Sequence, residues 1–70
     1  MNLSQLSRRV RELVPGLSEV RAEINKDGNT GYVIATKDKR MRCAYWDRGP
    51  FLARKTEEEV ACEVAKELRT

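Results

Sequence analysis

The sequence contains no histidine, and this absence bears on both catalysis and metal binding. Histidine is the commonest general base and the commonest metal ligand in proteins. No serine or cysteine lies in a pattern that would supply an activating base, and neither standard glycine-rich phosphate loop is present. The acidic run Glu57-Glu58-Glu59 does not converge on one ion, because neighbouring helical positions point about 100° apart. We therefore expect a protein that is not an enzyme and that uses no metal and no cofactor.

Cysteine is scarce, and long hydrophobic runs are missing. Cys43 and Cys62 lie 19 residues apart, outside any CxxC pair. This spacing predicts neither a disulfide framework nor a zinc site, and it favours two reduced thiols in a cytoplasmic protein. No apolar run approaches the roughly 18–20 residues of a membrane-spanning helix. We expect a cytoplasmic protein with no membrane partner.

Charge, in contrast, is plentiful and unevenly placed. The 70 residues carry a net charge of +3 and are 36% charged. Residues 37–55 sum to +5, and residues 56–70 sum to −3. A chain of this length forms one domain, here residues 1–70, with a marginal core. The basic middle of the chain is therefore the first place to look for a binding surface.

Two helices are predicted at the ends of the chain. Residues 3–13 place Leu3, Leu6, Val10 and Leu13 at helical spacing after a capping Asn2, and Pro15-Gly16 ends the helix. Thr56 and Glu59 form a second capping box ahead of the last helix. The buried stripe of that helix is predicted as Val60, Ala61, Val64, Ala65 and Leu68, with Cys62 outside it.

Three strands are predicted between the helices, at residues 18–25, 30–37 and 40–47. A three-residue loop, Lys26-Asp27-Gly28, and a two-residue turn, Asp38-Lys39, join them into hairpins. The fold class is α+β with the order α-β-β-β-α: a three-stranded antiparallel meander with two helices packed on one face. Phe51 and Leu52, in the connection 48–55, are expected to lie under the last helix.

These loop lengths assign the strand residues to two faces. They pair Ile24 with Thr30, Ala22 with Tyr32, Ile34 with Cys43 and Tyr32 with Tyr45. The helix-covered face is then predicted as Val20, Ala22, Ile24, Tyr32, Ile34, Met41, Cys43 and Tyr45. The outer face is predicted as Glu19, Arg21, Glu23, Val33, Ala35, Lys37, Arg40, Arg42, Ala44 and Trp46.

The candidate site is the basic part of that outer face. Cations around an exposed aromatic ring suit phosphate contact and base stacking, and they also suit a protein interface. The candidate binding residues are Lys37, Arg40, Arg42, Trp46, Arg48, Arg54 and Lys55, with Arg8, Arg9 and Arg11 as an extension from the first helix. Two structural interpretations compete with this one. The arginine stems would simply cover the sheet, or a bulge near Tyr45 would turn Trp46 into the core.

The element order resembles that of the double-stranded-RNA-binding domain, and its β-β-β-α part is similar to the arm-binding domains of phage-type integrases. The RNA-binding family has a lysine pair where this chain has Glu57 and Glu58. It also has a Gly-Pro in the first hairpin, whereas Gly49-Pro50 follows the third strand here. The resemblance covers topology alone, and no binding residue is carried over from it.

Binding without catalysis is the function that these features favour. We expect the partner to be a protein or a nucleoprotein complex, contacted through the basic, Trp-containing face. Small domains of this kind are typical of phages and mobile elements, including inhibitors of host defence systems such as CRISPR-Cas. The alternative is direct binding of DNA or RNA by the same residues. A homodimer is a further option, because a 70-residue core is small.

Overall fold

A computed structural model describes all 70 residues and has the predicted element order. It contains α1 (Leu3–Leu13), β1 (Ser18–Ile24), β2 (Thr30–Lys37), β3 (Arg40–Asp47), a one-turn 3-10 helix (Phe51–Ala53) and α2 (Glu57–Arg69). The strands form one antiparallel sheet in the order β1-β2-β3. Helix α1 packs against β1 and helix α2 against β3, on the same side of the sheet. The predicted α+β fold is confirmed, and neither helix has the length and apolar character to cross a membrane.

Both helices begin at the predicted caps. The Asn2 side chain accepts a hydrogen bond from the Gln5 N–H at 3.1 Å. At α2, the Glu59 N–H donates to the Thr56 hydroxyl at 3.2 Å, and the Thr56 N–H donates to the Glu59 carboxylate at 2.9 Å. Each bond satisfies a main-chain donor that the first helical turn would leave without a partner.

The second hairpin also follows its prediction. Asp38 and Lys39 have positive φ angles of 52° and 64°, as a two-residue type I′ turn requires. The turn sets Tyr32 opposite Tyr45 and Ile34 opposite Cys43.

The first hairpin differs from its prediction by one residue. Strand β1 pairs Ile24 with Gly31 and Ala22 with Val33, so the loop has four residues, 26–29, and the predicted three-residue loop is wrong. The Asp27 carboxylate accepts hydrogen bonds from the Asn29 N–H at 2.9 Å and the Thr30 N–H at 3.0 Å. These bonds hold Asn29 inside the loop, so that pairing with β1 begins at Thr30, opposite Asn25.

This one-residue shift reverses the two faces of β2 and β3 relative to β1. Val20 and Ala22 of β1 pack toward the helices as predicted. On the other two strands, the residues assigned to the outer face are the buried ones: Val33, Ala35, Ala44 and Trp46. The residues assigned to the core lie on the side away from the helices: Tyr32, Ile34, Met41, Cys43 and Tyr45. We call the side of the sheet that the helices cover the helix face, and the opposite side the open face.

The core lies between the helix face and the two helices. Trp46 is its one aromatic residue, and it lies over Gly31 on the neighbouring strand. A Cβ atom at Gly31 would overlap both the Trp46 ring and the Glu23 carbonyl oxygen, so only glycine fits there. The core cluster comprises Leu6, Val10, Val33, Ala35, Ala44, Trp46, Val60, Ala61, Val64 and Leu68.

The connection from β3 to α2 departs from the prediction as well. Phe51 is 81% exposed and Leu52 is 96% exposed, so neither residue lies under α2. The 3-10 turn that carries them is closed by the Ala53 N–H, which donates to the Pro50 carbonyl at 2.9 Å. The stripe of α2 is already covered by the sheet and α1, which leaves no apolar surface for these two side chains.

Candidate protein-binding surface

Trp46, the centre of the predicted site, is buried. It is 4% exposed and lies on the helix face. Strand β3 pairs with β2 without a bulge, so Trp46 enters the core because the whole face is reversed, and not because of the bulge considered above. The prediction that Trp46 lies exposed on the outer face is therefore wrong.

Arg42 is also on the helix face, where it completes the end of α2. Its Nη1 donates to the Leu68 carbonyl oxygen at 3.1 Å. The last carbonyl groups of a helix have no partner within the helix and carry partial negative charge. The Arg42 guanidinium satisfies one of them, so its role in the structure is helix capping.

The cations after β3 hold the connection to α2 in place. Arg48 donates to the Lys55 carbonyl oxygen through Nε at 3.1 Å and Nη2 at 2.9 Å. The Lys55 ammonium forms an ion pair with Glu63 at 3.0 Å. The Arg54 guanidinium lies 5.7 Å from the centre of the Phe51 ring. The charged groups of these three residues therefore have partners within the connection and on α2.

Lys37 and Arg40 stay together at the tip of the second hairpin. They are cross-strand neighbours, and neither forms an ion pair. With Asp38 and Arg42 they line a shallow depression. Because both side chains belong to the helix face, this basic hairpin tip points away from the open face.

The first helix does not extend this basic cluster through Arg9. The Arg9 guanidinium binds the Glu58 carboxylate through Nε at 2.9 Å and Nη2 at 3.0 Å. This ion pair lowers the pKa of Glu58 and joins α1 to α2.

The open face is the largest uncovered apolar surface of the sheet. Tyr45 is 79% exposed and Met41 is 74% exposed, and Tyr32 and Ile34 beside them are half-buried. The Tyr32 and Tyr45 ring centres lie 6.3 Å apart at 58°, a tilted arrangement that aromatic pairs favour. Cys43 is exposed between these residues.

Few charges interrupt this open face. Arg21 and Glu23 of β1 form an ion pair, with Nε and Oε1 3.6 Å apart, and Asp47 ends β3. The pKa of Tyr45 is raised, chiefly by side-chain hydrogen bonding with Cys43 beside it on the strand. Tyr45 is therefore neutral at physiological pH. The arrangement is an apolar and aromatic patch with a polar border, which is typical of protein interfaces.

Sequence reasoning missed the open face, although one signal pointed to it. The predicted register of β2 and β3 already set Gly31 opposite Trp46. A glycine inside a strand commonly marks a place where another group approaches closely. If the Trp46 indole ring is the group that approaches Gly31, Trp46 belongs to the core and Tyr45, the neighbouring residue on the strand, to the surface.

Comparison with known proteins adds no relative. No protein-family model matches the chain, and neither a curated protein nor a solved structure matches it.

Proposed function

We propose that this chain is a non-enzymatic binding domain that contacts another protein through its open face. The observation that supports this most directly is the exposure of Tyr45 and Met41 on a sheet face that no helix covers. Burying such side chains against a partner removes apolar surface from water, at roughly 25 cal/mol per Å². The half-buried Tyr32 and Ile34 would form the floor of the contact.

The side chains of the open face suit this role better than the basic residues do. Tyrosine is enriched among interface residues that contribute most to binding. Arg42, Arg48 and Lys55, in contrast, have their charged groups engaged within the domain. Binding without catalysis is also how small phage-encoded inhibitors of host defence act, and we propose that setting on the basis of size and composition.

Nucleic-acid binding is the second candidate, and a different surface supports it. Lys37 and Arg40 at the basic hairpin tip have no acidic partner and are free to contact phosphate groups. Base stacking on Trp46 is no longer part of this candidate, because Trp46 is buried. Binding would then depend on charge and would weaken steeply with salt.

The two candidates predict different outcomes in one capture experiment. The immobilised 70-residue chain is exposed to a lysate of the source cells with and without nuclease. Tyr45→Lys tests the open face, Leu52→Lys adds the same charge at an exposed apolar residue elsewhere, and Lys37→Glu with Arg40→Glu tests the hairpin tip. Thermal melts establish that each variant is folded.

Protein binding through the open face predicts that capture survives nuclease, is lost in Tyr45→Lys and is kept in the other variants. Capture that nuclease abolishes, and that only the hairpin-tip variant loses, would favour the nucleic-acid candidate. Equal loss in Tyr45→Lys and Leu52→Lys would contradict a specific role for the open face.

A further inference from the structure

We infer that the protein seated on the open face is a second copy of this chain, packed face to face about a two-fold axis that crosses the strands. This inference rests on the proposed function, since it requires the open face to be a protein contact. The resulting dimer would have four layers: helices, sheet, sheet, helices. Sheets stacked in this way lie about 10 Å apart, with their side chains interdigitated.

Two neighbouring rows of the open face carry the argument. The strand register places Glu23, Tyr32 and Tyr45 in one row across β1, β2 and β3. The next row consists of Arg21, Ile34 and Cys43. A two-fold axis that runs between the two rows places the first row of each copy against the second row of the other copy. Each aromatic ring then meets an aliphatic or thiol side chain instead of another ring.

Two charges of the open face, Arg21 and Glu23, pair under the same rotation, whereas Asp47 at the end of β3 is set against Met41 of the second copy. Arg21 of each copy lies against Glu23 of the second copy, and the relation is reciprocal. Both side chains are exposed in the single chain and are held only by their mutual ion pair. A two-fold axis parallel to the strands would instead lay the Glu23 side of one sheet on Tyr45 of the other and leave the charges unmatched. Charge complementarity therefore selects the crossing axis.

The helix layer excludes the other simple way to join two copies. Pairing β3 with β3 of a second copy would place the two strands about 4.8 Å apart. Helix α2 packs directly against β3, and two helices require roughly 8–10 Å between their axes. The β1 edge is blocked differently, since its pairing is interrupted between Ser18 and Arg21 and Glu19 there has a φ of 53°. Face-to-face packing keeps all helices on the outside and meets no such obstacle.

The size of the open face sets the strength of the association. Three strands about 4.8 Å apart and roughly 26 Å long form a face of about 400 Å². A standard stable interface buries about 800 Å² on each partner. The dimer should therefore be weak, and its population should rise between micromolar and millimolar protein.

The two cysteines provide a test with an internal control. Cys43 lies within the proposed contact, whereas Cys62 lies on α2, and both thiols are exposed in the single chain. Sedimentation velocity measures the mass as protein concentration rises, and iodoacetamide alkylation followed by mass spectrometry measures the reactivity of each thiol. We expect the mass to rise toward that of a dimer while alkylation of Cys43 slows and that of Cys62 does not change.

Charge reversal tests the geometry of the contact. Arg21→Glu alone places like charges together and should weaken the dimer several-fold, as should Glu23→Arg alone. The double exchange Arg21→Glu with Glu23→Arg restores opposite charges across the axis and should recover the association. Arg11→Glu, at an exposed position on α1, makes the same change in net charge away from the contact and should have no effect.

Each other outcome is informative. A chain that stays monomeric up to millimolar concentration overturns the inference, as does a dimer in which Cys43 remains fully reactive. A chain that stays monomeric but still captures another protein through Tyr45 would exclude the self-association and leave the proposed function intact. A dimer that both single reversals leave unchanged would contradict the crossing axis.

Discussion

The helix face of the sheet is lined mainly by small side chains, whereas the open face carries large ones. Val33, Ala35 and Ala44 lie under the helices, and Gly31 lies under Trp46. Tyr32, Ile34, Met41 and Tyr45 project from the opposite side. Hydrophobicity alone would favour the second set as core, because these side chains have more apolar area to bury.

Packing density explains why the first set is inside. Helix α2 contributes Val60, Ala61 and Val64 to the core, and α1 contributes Leu6 and Val10. Small groups on both sides let the layers approach closely and leave few voids. One large ring, Trp46, then fills the space above the glycine. Shape fit between the layers favours covering this face, and the larger side chains stay on the open face.

Exchanging each aromatic residue of β3 for alanine should give the largest contrast between the two faces. Trp46→Ala leaves a cavity over Gly31 and should cost about 3–5 kcal/mol of unfolding free energy. Tyr45→Ala, one residue earlier on the open face, should cost about 1 kcal/mol or less. Urea unfolding followed by circular dichroism measures both. Equal losses would mean that the two faces are equally covered in solution.

Adding one methyl group at Gly31 should have the next largest effect. The new Cβ would overlap the Trp46 ring and the Glu23 carbonyl oxygen, and overpacking of this kind typically costs about 1–3 kcal/mol. Thr36→Ala, on the open face of the same strand, is the control and should cost less. The same urea titrations test the pair. A Gly31→Ala variant as stable as the control would contradict the seating of Trp46 over Gly31.

Removing the guanidinium from Arg42 and, separately, from Arg40 compares a charge that contributes to the fold with one that has no partner. Arg42→Met takes away the hydrogen bond to the Leu68 carbonyl and should cost about 1–2 kcal/mol. Arg40→Met removes a charge with no ion-pair partner and should change stability by less than about 0.5 kcal/mol. Amide hydrogen exchange in the last turn of α2 should accelerate in Arg42→Met alone. If Arg40→Met is the more damaging change, the assignment of Arg42 as the cap is wrong.

Much of the fold follows from local patterns that the sequence displays directly. The caps at Asn2 and Thr56, the helical spacing of the apolar residues and the two-residue turn at Asp38-Lys39 each depend on residues close together in the chain. Those patterns predicted both α-helices, all three strands, the strand order and the register of β2 with β3 correctly.

Local patterns could not predict which face of the sheet the helices cover, because that depends on a single loop residue. Strands β2 and β3 have apolar side chains on both faces, so alternation alone does not choose between Tyr32 with Ile34 and Val33 with Ala35. The faces of β2 and β3 were predicted from those of β1 by assuming a three-residue loop. Asn29 makes that loop four residues long. All the errors about Trp46, Arg42 and Tyr45 follow from that one residue.

Asp27, which holds this loop, should show a small and pH-dependent effect. The N–H groups of Asn29 and Thr30 lower the pKa of its carboxyl below the usual value. A carboxyl whose pKa is lower in the folded chain contributes stability that is complete above its unfolded pKa, about 3.9, and is lost as pH falls through its folded pKa. Asp27→Asn keeps an oxygen that can accept these hydrogen bonds but lacks the charge. The variant should therefore be slightly less stable than the natural chain at pH 7, and the difference should vanish in acid.

Urea titrations of both chains from pH 7 downward measure that difference directly. Glu58 and Glu59 also have lowered pKa values in the folded state, owing to Arg9 and to Thr56 respectively, so both chains should lose stability in acid. Subtracting one curve from the other removes their contributions and leaves that of Asp27. Asp38→Asn, in the other hairpin turn, is the control, since Asp38 accepts no comparable hydrogen bond. A difference that stays constant with pH would mean that the charge of Asp27 does not hold the four-residue loop, and the cause of the face assignment would then lie in the packing over Gly31.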